Sequence, residues 1–98
     1  MSEGCHVEPM SKSPSQEELR DQTVTLLAVE GMGCDRCAMR VRNSLLGVYG
    51  VAEVEVALAF GTAQVAFNPG LANIGDLKRA VERAGRDGRH VYRAQRIV

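Results

Sequence analysis

Cys34 and Cys37 are the residues of this chain whose type and spacing point most directly to chemistry. They lie in the stretch Gly31–Met32–Gly33–Cys34–Asp35–Arg36–Cys37. An apolar run, Val24, Leu26, Leu27 and Val29, precedes them, and Ala38, Val41, Leu45 and Val48 follow at helical spacing. The two thiols therefore fall where a strand ends and a helix begins. The glycines let the backbone turn sharply and leave space near the sulfurs. Cys37 falls in the first helical turn, where unpaired N–H groups and the helix dipole favour a thiolate. Thiolate is the metal-binding form, and two soft anionic sulfurs suit a thiophilic ion such as Cu(I). The glycine and charged neighbours predict an exposed pair.

Other side chains are candidates to assist. Met32 and Asp35 sit within the motif. Cys5, His6 and Met10 are soft-ligand types near the N-terminus; they read first as a flexible leader with incidental sulfurs and second as an auxiliary copper site. The loop from Gly85 to His90 should return to the end of the sheet that carries the cysteines. Arg86 in that loop would place a cation near two thiolates and a bound Cu(I), whose charges sum to a negative value. His90 is either a third ligand or an ordinary residue at the start of a strand. Structural zinc sites take four ligands, whereas this motif supplies two and no second Cys-x-x-Cys is present.

Composition narrows the class. The 98 residues suffice for one small domain and a tail, divided here as 1–22 and 23–98. Aromatic residues make up 4% and Trp is absent, which predicts a small aliphatic core. Zero formal net charge gives no global case for binding nucleic acid or a membrane surface. No apolar run approaches the roughly 18 residues of a membrane span, and the start of the chain lacks a secretory pattern. The reading is a cytosolic, non-catalytic protein. Three cysteines in a reducing compartment indicate metal or redox work rather than a disulfide framework.

The elements that must position the motif follow from periodicity. Residues 1–22 are polar and aperiodic, which predicts a disordered tail, with a helix start possible at Ser15–Glu18. A strand is expected from Thr23 to Val29 and a helix from about Arg36 to Leu46. Two strands, Val51–Leu58 and Ala63–Phe67, alternate in polarity and should form a hairpin turning at Phe60–Gly61–Thr62. Asn73 and Asp76 have the spacing of a capping box, with Ile74, Leu77, Val81 and Ala84 on the buried stripe of the helix that follows. A left-handed cap is expected at Gly85, then an edge strand from His90 to Ile97. The order βαββαβ gives an α+β, ferredoxin-like sandwich: a four-stranded antiparallel sheet with two helices on one face.

Gly31, Met32, Cys34 and Cys37, placed between a strand and a helix, resemble the metal loop of the heavy-metal-associated domain family. That family includes small copper chaperones and the soluble domains of metal-pumping ATPases. The resemblance runs from about Thr23 to the C-terminus and includes Leu58–Ala59, Ala63, Val65, Asn68–Pro69, Leu77, Ala80–Glu82 and Ala84–Gly85. It implies the same fold and a cytosolic carrier that holds Cu(I) on Cys34 and Cys37. Delivery would be by thiolate exchange to a copper-transporting P-type ATPase or another metal-binding domain, and a metal-bridged homodimer is one further arrangement. It also implies that Met32 packs beneath the loop. Gly33 stands where zinc-handling members often carry an acidic residue, and Arg86 where members often carry Tyr, Phe or Lys. Lys78, Arg79, Arg83, Arg86, Arg89, Arg93 and Arg96, with Arg36 and Arg40, offer a basic surface for an acidic partner. The alternatives are a carrier of mercury, zinc or cadmium from the same family, and a thiol-redox protein. An RNA-binding module would need aromatics on the central strands, and Phe67 there is expected to face inward.

Overall fold

A computed structural model describes residues 8–85 and 91–97. After a short helix α1 (Gln16–Leu19), the elements are β1 (Thr23–Glu30), α2 (Asp35–Leu46), β2 (Val51–Ala57), β3 (Thr62–Phe67), α3 (Ile74–Arg83) and β4 (Arg93–Arg96). The four strands form one antiparallel sheet in the order β2-β3-β1-β4. The expected ferredoxin-like sandwich is the fold observed.

Alternation explains which face the helices cover. Thr25, Leu27 and Val29 of β1 are buried, as are Ala63, Val65 and Phe67 of β3. They share one core with Val41 and Leu45 of α2 and Leu77 and Val81 of α3. The helices pack against each other through that core, and Ser44 Oγ donates to the Ala80 carbonyl. A register shift between Val51 and Glu53 leaves Ala52 without an opposite number on β3. Such an extra residue is a bulge; it lets Val51 and Val54 both face the core. The Asn73–Asp76 capping box is present, with Asp76 N–H donating to Asn73 at 2.8 Å.

Three details differ from the sequence reading. Leu58–Phe60 leave the strand as a 3-10 turn that ends at Gly61, where φ is 64°. Gly85 is not among the described glycines with positive φ, so α3 ends without the left-handed cap. It donates instead to the Glu82 carbonyl at 3.1 Å. The third detail lies before β1, in the stretch read as a tail: residues 8–19 lie against the domain as a strap. Lys12 Nζ donates to the carbonyls of Val48 and Val51 at 3.0 and 2.5 Å and pairs with Glu18 at 2.9 Å. Met10 packs on the core, and Asn68 Nδ2 donates to the Glu17 carbonyl at 2.7 Å. A polar sequence gives no periodic signal for this packing, because the strap is held by side-chain to backbone hydrogen bonds.

Candidate metal centre

The loop Gly31–Cys34 joins β1 to α2 at one pole of the sandwich. Gly31 has a φ of 99°, a conformation that favours glycine. A Cβ there would lie 2.2 Å from the Val91 carbonyl oxygen and 3.2 Å from the ring of Tyr92. Gly31 is thus required by both turn and space. Gly33 is not: nothing lies within 4 Å of where its Cβ would be. The 3-10 turn at Leu58–Phe60 shares this pole, since β1 and β3 pair Ala28 with Thr62, and Val29 N–H donates to the Gly61 carbonyl at 2.7 Å. Phe60 and Val91, the two most exposed large apolar side chains among those described, stand here at 82% and 73% exposure.

Cys34 is the residue just before the first turn of α2, with extended backbone, and its carbonyl accepts from Ala38 N–H at 3.1 Å. Its Sγ lies 3.2 Å from that of Cys37. Cys34 is half-buried, while Cys37 is only 2% exposed. The expected exposure of the pair therefore holds for one sulfur. The reason is helical phase: Cys37, Val41 and Leu45 are four apart and share the core stripe, and Ala38 flanks it half-buried. The thiol whose pKa is depressed is Cys34. Hydrogen bonds from the Cys37 thiol and backbone N–H, then from Arg36, outweigh its desolvation and bring its pKa to about 7. The role of Arg36 was missed in the sequence, where helical phase alone turns it outward. Its place two residues after Cys34, in the first turn, was the available signal.

Met32 is half-buried against the core, beneath the loop. Asp35 is exposed in the first turn of α2, where a negative charge is favourable. Cys5, His6, Arg86 and His90 lie outside the described residues. Among the described residues no group of three or more His, Cys, Asp or Glu side chains could hold a metal ion. The sulfur pair is thus a two-ligand site as far as these residues go. Tyr92, one of the largest fully buried side chains, supports the loop from beneath Gly31 and was missed in the sequence. It precedes β4 in a stretch dominated by arginines, where one aromatic carries no periodic signal.

The family model for the heavy-metal-associated domain matches residues 26–87. The chain belongs to the heavy-metal-associated domain family. A copper-exporting P-type ATPase of Bacillus subtilis is 42% identical over 57 residues, which is 58% of this chain but 7% of the ATPase. The copper chaperone CopZ of Staphylococcus epidermidis is 32% identical over 65 residues, 66% of this chain and 96% of the chaperone. A mercuric reductase of Serratia marcescens matches at 45% identity over 49 residues, 11% of its length. The crystal structure of a copper binding domain from HMA7, a P-type ATPase, superposes with a TM-score of 0.69 at 32% identity. That match covers 76% of this chain and 93% of that domain. The chain thus spans a small fraction of the ATPases and the reductase, and nearly the whole chaperone. Among the described residues no helix is long and apolar enough to cross a membrane.

Proposed function

We propose that this heavy-metal-associated domain, residues 23–98, carries Cu(I) on Cys34 and Cys37 in the cytosol. It passes the ion to the metal-binding domain of a copper-transporting P-type ATPase. It is a carrier and not a catalyst. The observation that supports this most is the pair of sulfurs 3.2 Å apart, one half-exposed with a depressed pKa and one fixed in the core. A thiolate already formed near neutral pH binds a soft cation without first losing a proton. With bonds of about 2.3 Å, as thiolates make to zinc, linear coordination needs sulfurs more than about 4 Å apart. Loading therefore spreads the pair. Cys37 is anchored in α2, so Cys34 is the sulfur that moves.

Transfer follows from the same asymmetry. An incoming thiolate approaches from solvent, on the Cys34 side, and displaces the domain's sulfurs in turn. The metal remains on sulfur throughout, in the manner of thiol–disulfide exchange. Phe60 and Val91 flank the approach with apolar surface that a docked partner would cover. The relatives named as a copper chaperone and a copper-exporting ATPase support copper as the cargo. The match to a mercuric reductase favours one second reading, a carrier of Hg(II) on the same two sulfurs.

Anaerobic Cu(I) titration against a colorimetric chelator tests the assignment. One tight equivalent is expected, lost in Cys34→Ser/Cys37→Ser. A chain that leaves Cu(I) on the chelator and holds Hg(II) or Zn(II) instead would overturn the copper reading.

A further inference from the structure

β2 is an edge of the sheet: among the described residues it pairs with β3 and with no other strand. In an antiparallel pair alternate residues turn their N–H and C=O groups away from the partner strand. β2 therefore offers a row of donors and acceptors to one side. The start of that row is closed. Val51 N–H donates to the Val48 carbonyl at 3.1 Å, and the Val51 carbonyl accepts from Lys12 at 2.5 Å. The bulge after Val51 bends the strand there as well. Residues 54–57 have neither device.

Two chemically different surfaces flank this open edge. On the helix side an open groove of about 410 Å3 lies between α2 and β2. Ala38, Met39, Val54, Val56 and Leu58 line it with apolar surface. It reaches the metal loop at Asp35, and Cys34 does not line it. On the other face of the sheet Glu53 and Glu55 are exposed, opposite Ala66 and Gln64 of β3. Neither glutamate stands opposite a cation on β3.

We propose that β2 takes up an extended segment of a partner protein as a fifth strand, one in which apolar and basic side chains alternate. The pattern follows from strand geometry. Successive side chains of an added strand point to opposite faces. One set enters the α2–β2 groove, where apolar groups leave water against Met39, Val54 and Val56. The other set stands beside Glu53 and Glu55, where Lys or Arg is attracted and an acid is repelled. Main-chain hydrogen bonds to the edge supply affinity, and the two side-chain sets supply selectivity. A second copy of β2 is a poor occupant, since Glu53 and Glu55 would meet their own counterparts on one face of the joined sheet. Because Cys34 does not line the groove, the added strand grips the side of the domain while the metal loop stays open to an incoming thiolate. The interaction does not depend on which metal the loop carries.

The probe is a terminally blocked peptide in which valine and lysine alternate, matched to the 7 residues of β2. Its twin carries glutamate in place of lysine. Each is titrated into the full chain and followed by two-dimensional amide NMR and amide exchange. The lysine peptide should bind saturably, shift the amides of β2 and of the facing side of α2, and slow exchange of the outward amides of β2. The glutamate peptide should bind about tenfold more weakly or not at all. Glu53→Lys/Glu55→Lys should reverse that preference while Cu(I) affinity stays the same, and the gain of binding to the glutamate peptide shows that the variant is folded. A preference that this double substitution leaves unchanged would overturn the proposal. So would the absence of saturable binding by the lysine peptide, or shifts confined to β4 or the metal loop. Outward amides of β2 already protected in the free chain would mean that the chain's own residues fill the edge, and self-association through β2 would give it to a second copy. Either result also overturns the proposal.

Discussion

Cys34 and Cys37 have unequal surroundings because one side chain ends a loop and the other begins a core stripe. The inequality has a pH signature. The hydrogen bonds from Cys37 and Arg36 hold the Cys34 pKa at about 7, below that of an ordinary thiol. Its thiolate fraction rises with pH through that value. Alkylation of Cys34 by iodoacetamide, followed by peptide mass spectrometry, should reach half its plateau rate near pH 7. Cys37→Ala removes the side-chain hydrogen bond that is the largest cause, and the inflection should move up towards the ordinary range. An unmoved inflection would assign the shift to the Cys37 backbone N–H and to Arg36. The glycines also divide. Gly31→Ala places a Cβ against the Val91 carbonyl at a φ of 99° and should cost about 1–3 kcal/mol in urea unfolding. Gly33→Ala meets open space and should be close to neutral. In the sequence the cysteines were legible because two thiols at a strand–helix junction have few other uses. The difference between the glycines was not, since it depends on Val91 and Tyr92, about sixty residues away in the chain. Nor was the burial of Cys37, which a one-residue change in helical phase decides.

The six elements of the sandwich were legible in the sequence: alternation in β2 and β3, spacings of three and four in the helices, an Asn–Asp capping pair, an apolar run for β1, and a charged edge pattern for β4, which was read as His90–Ile97 and is Arg93–Arg96. The strap was not, because its hold on the domain is polar. Its centre is Glu18, only 3% exposed. Burial raises the Glu18 pKa, but N–H groups of Gly50 and Ser15 and the Lys12 ammonium outweigh it and set the value at about 2, below the usual 4.5. Gly50 N–H donates at 2.7 Å, Ser15 N–H at 3.0 Å, and Lys12 lies at 2.9 Å. A carboxylate with a depressed pKa stabilises the fold fully above its unfolded value, and that contribution fades as pH falls from about 4.5 to about 2. Glu18→Gln should therefore cost about 2 kcal/mol at pH 7 and almost nothing near pH 2. Urea unfolding of both proteins across this range is the measurement. A constant difference at all pH values would mean that lost packing, and not lost charge, is the cause.

On the scale of the whole molecule, α2 separates two poles. The metal loop lies at its start, and its C-terminal end meets the strap through Met10, Lys12 and Glu18. Stability and metal binding should therefore respond differently to loss of the N-terminal stretch. A chain beginning at Gln22 lacks the Lys12–Glu18 network and leaves the buried Gly50 N–H without its carboxylate. At a loss of about 2 kcal/mol, its melting temperature should fall by roughly 10 °C, as expected for a domain of this size. It keeps Cys34, Cys37 and all four strands, so it should still bind one Cu(I). Its affinity should equal that of the full chain. Thermal melts by circular dichroism and chelator titration of the two proteins separate the effects. An affinity well below that of the full chain would mean that the strap holds the sulfur pair in place through α2, and the two poles would then be coupled rather than independent.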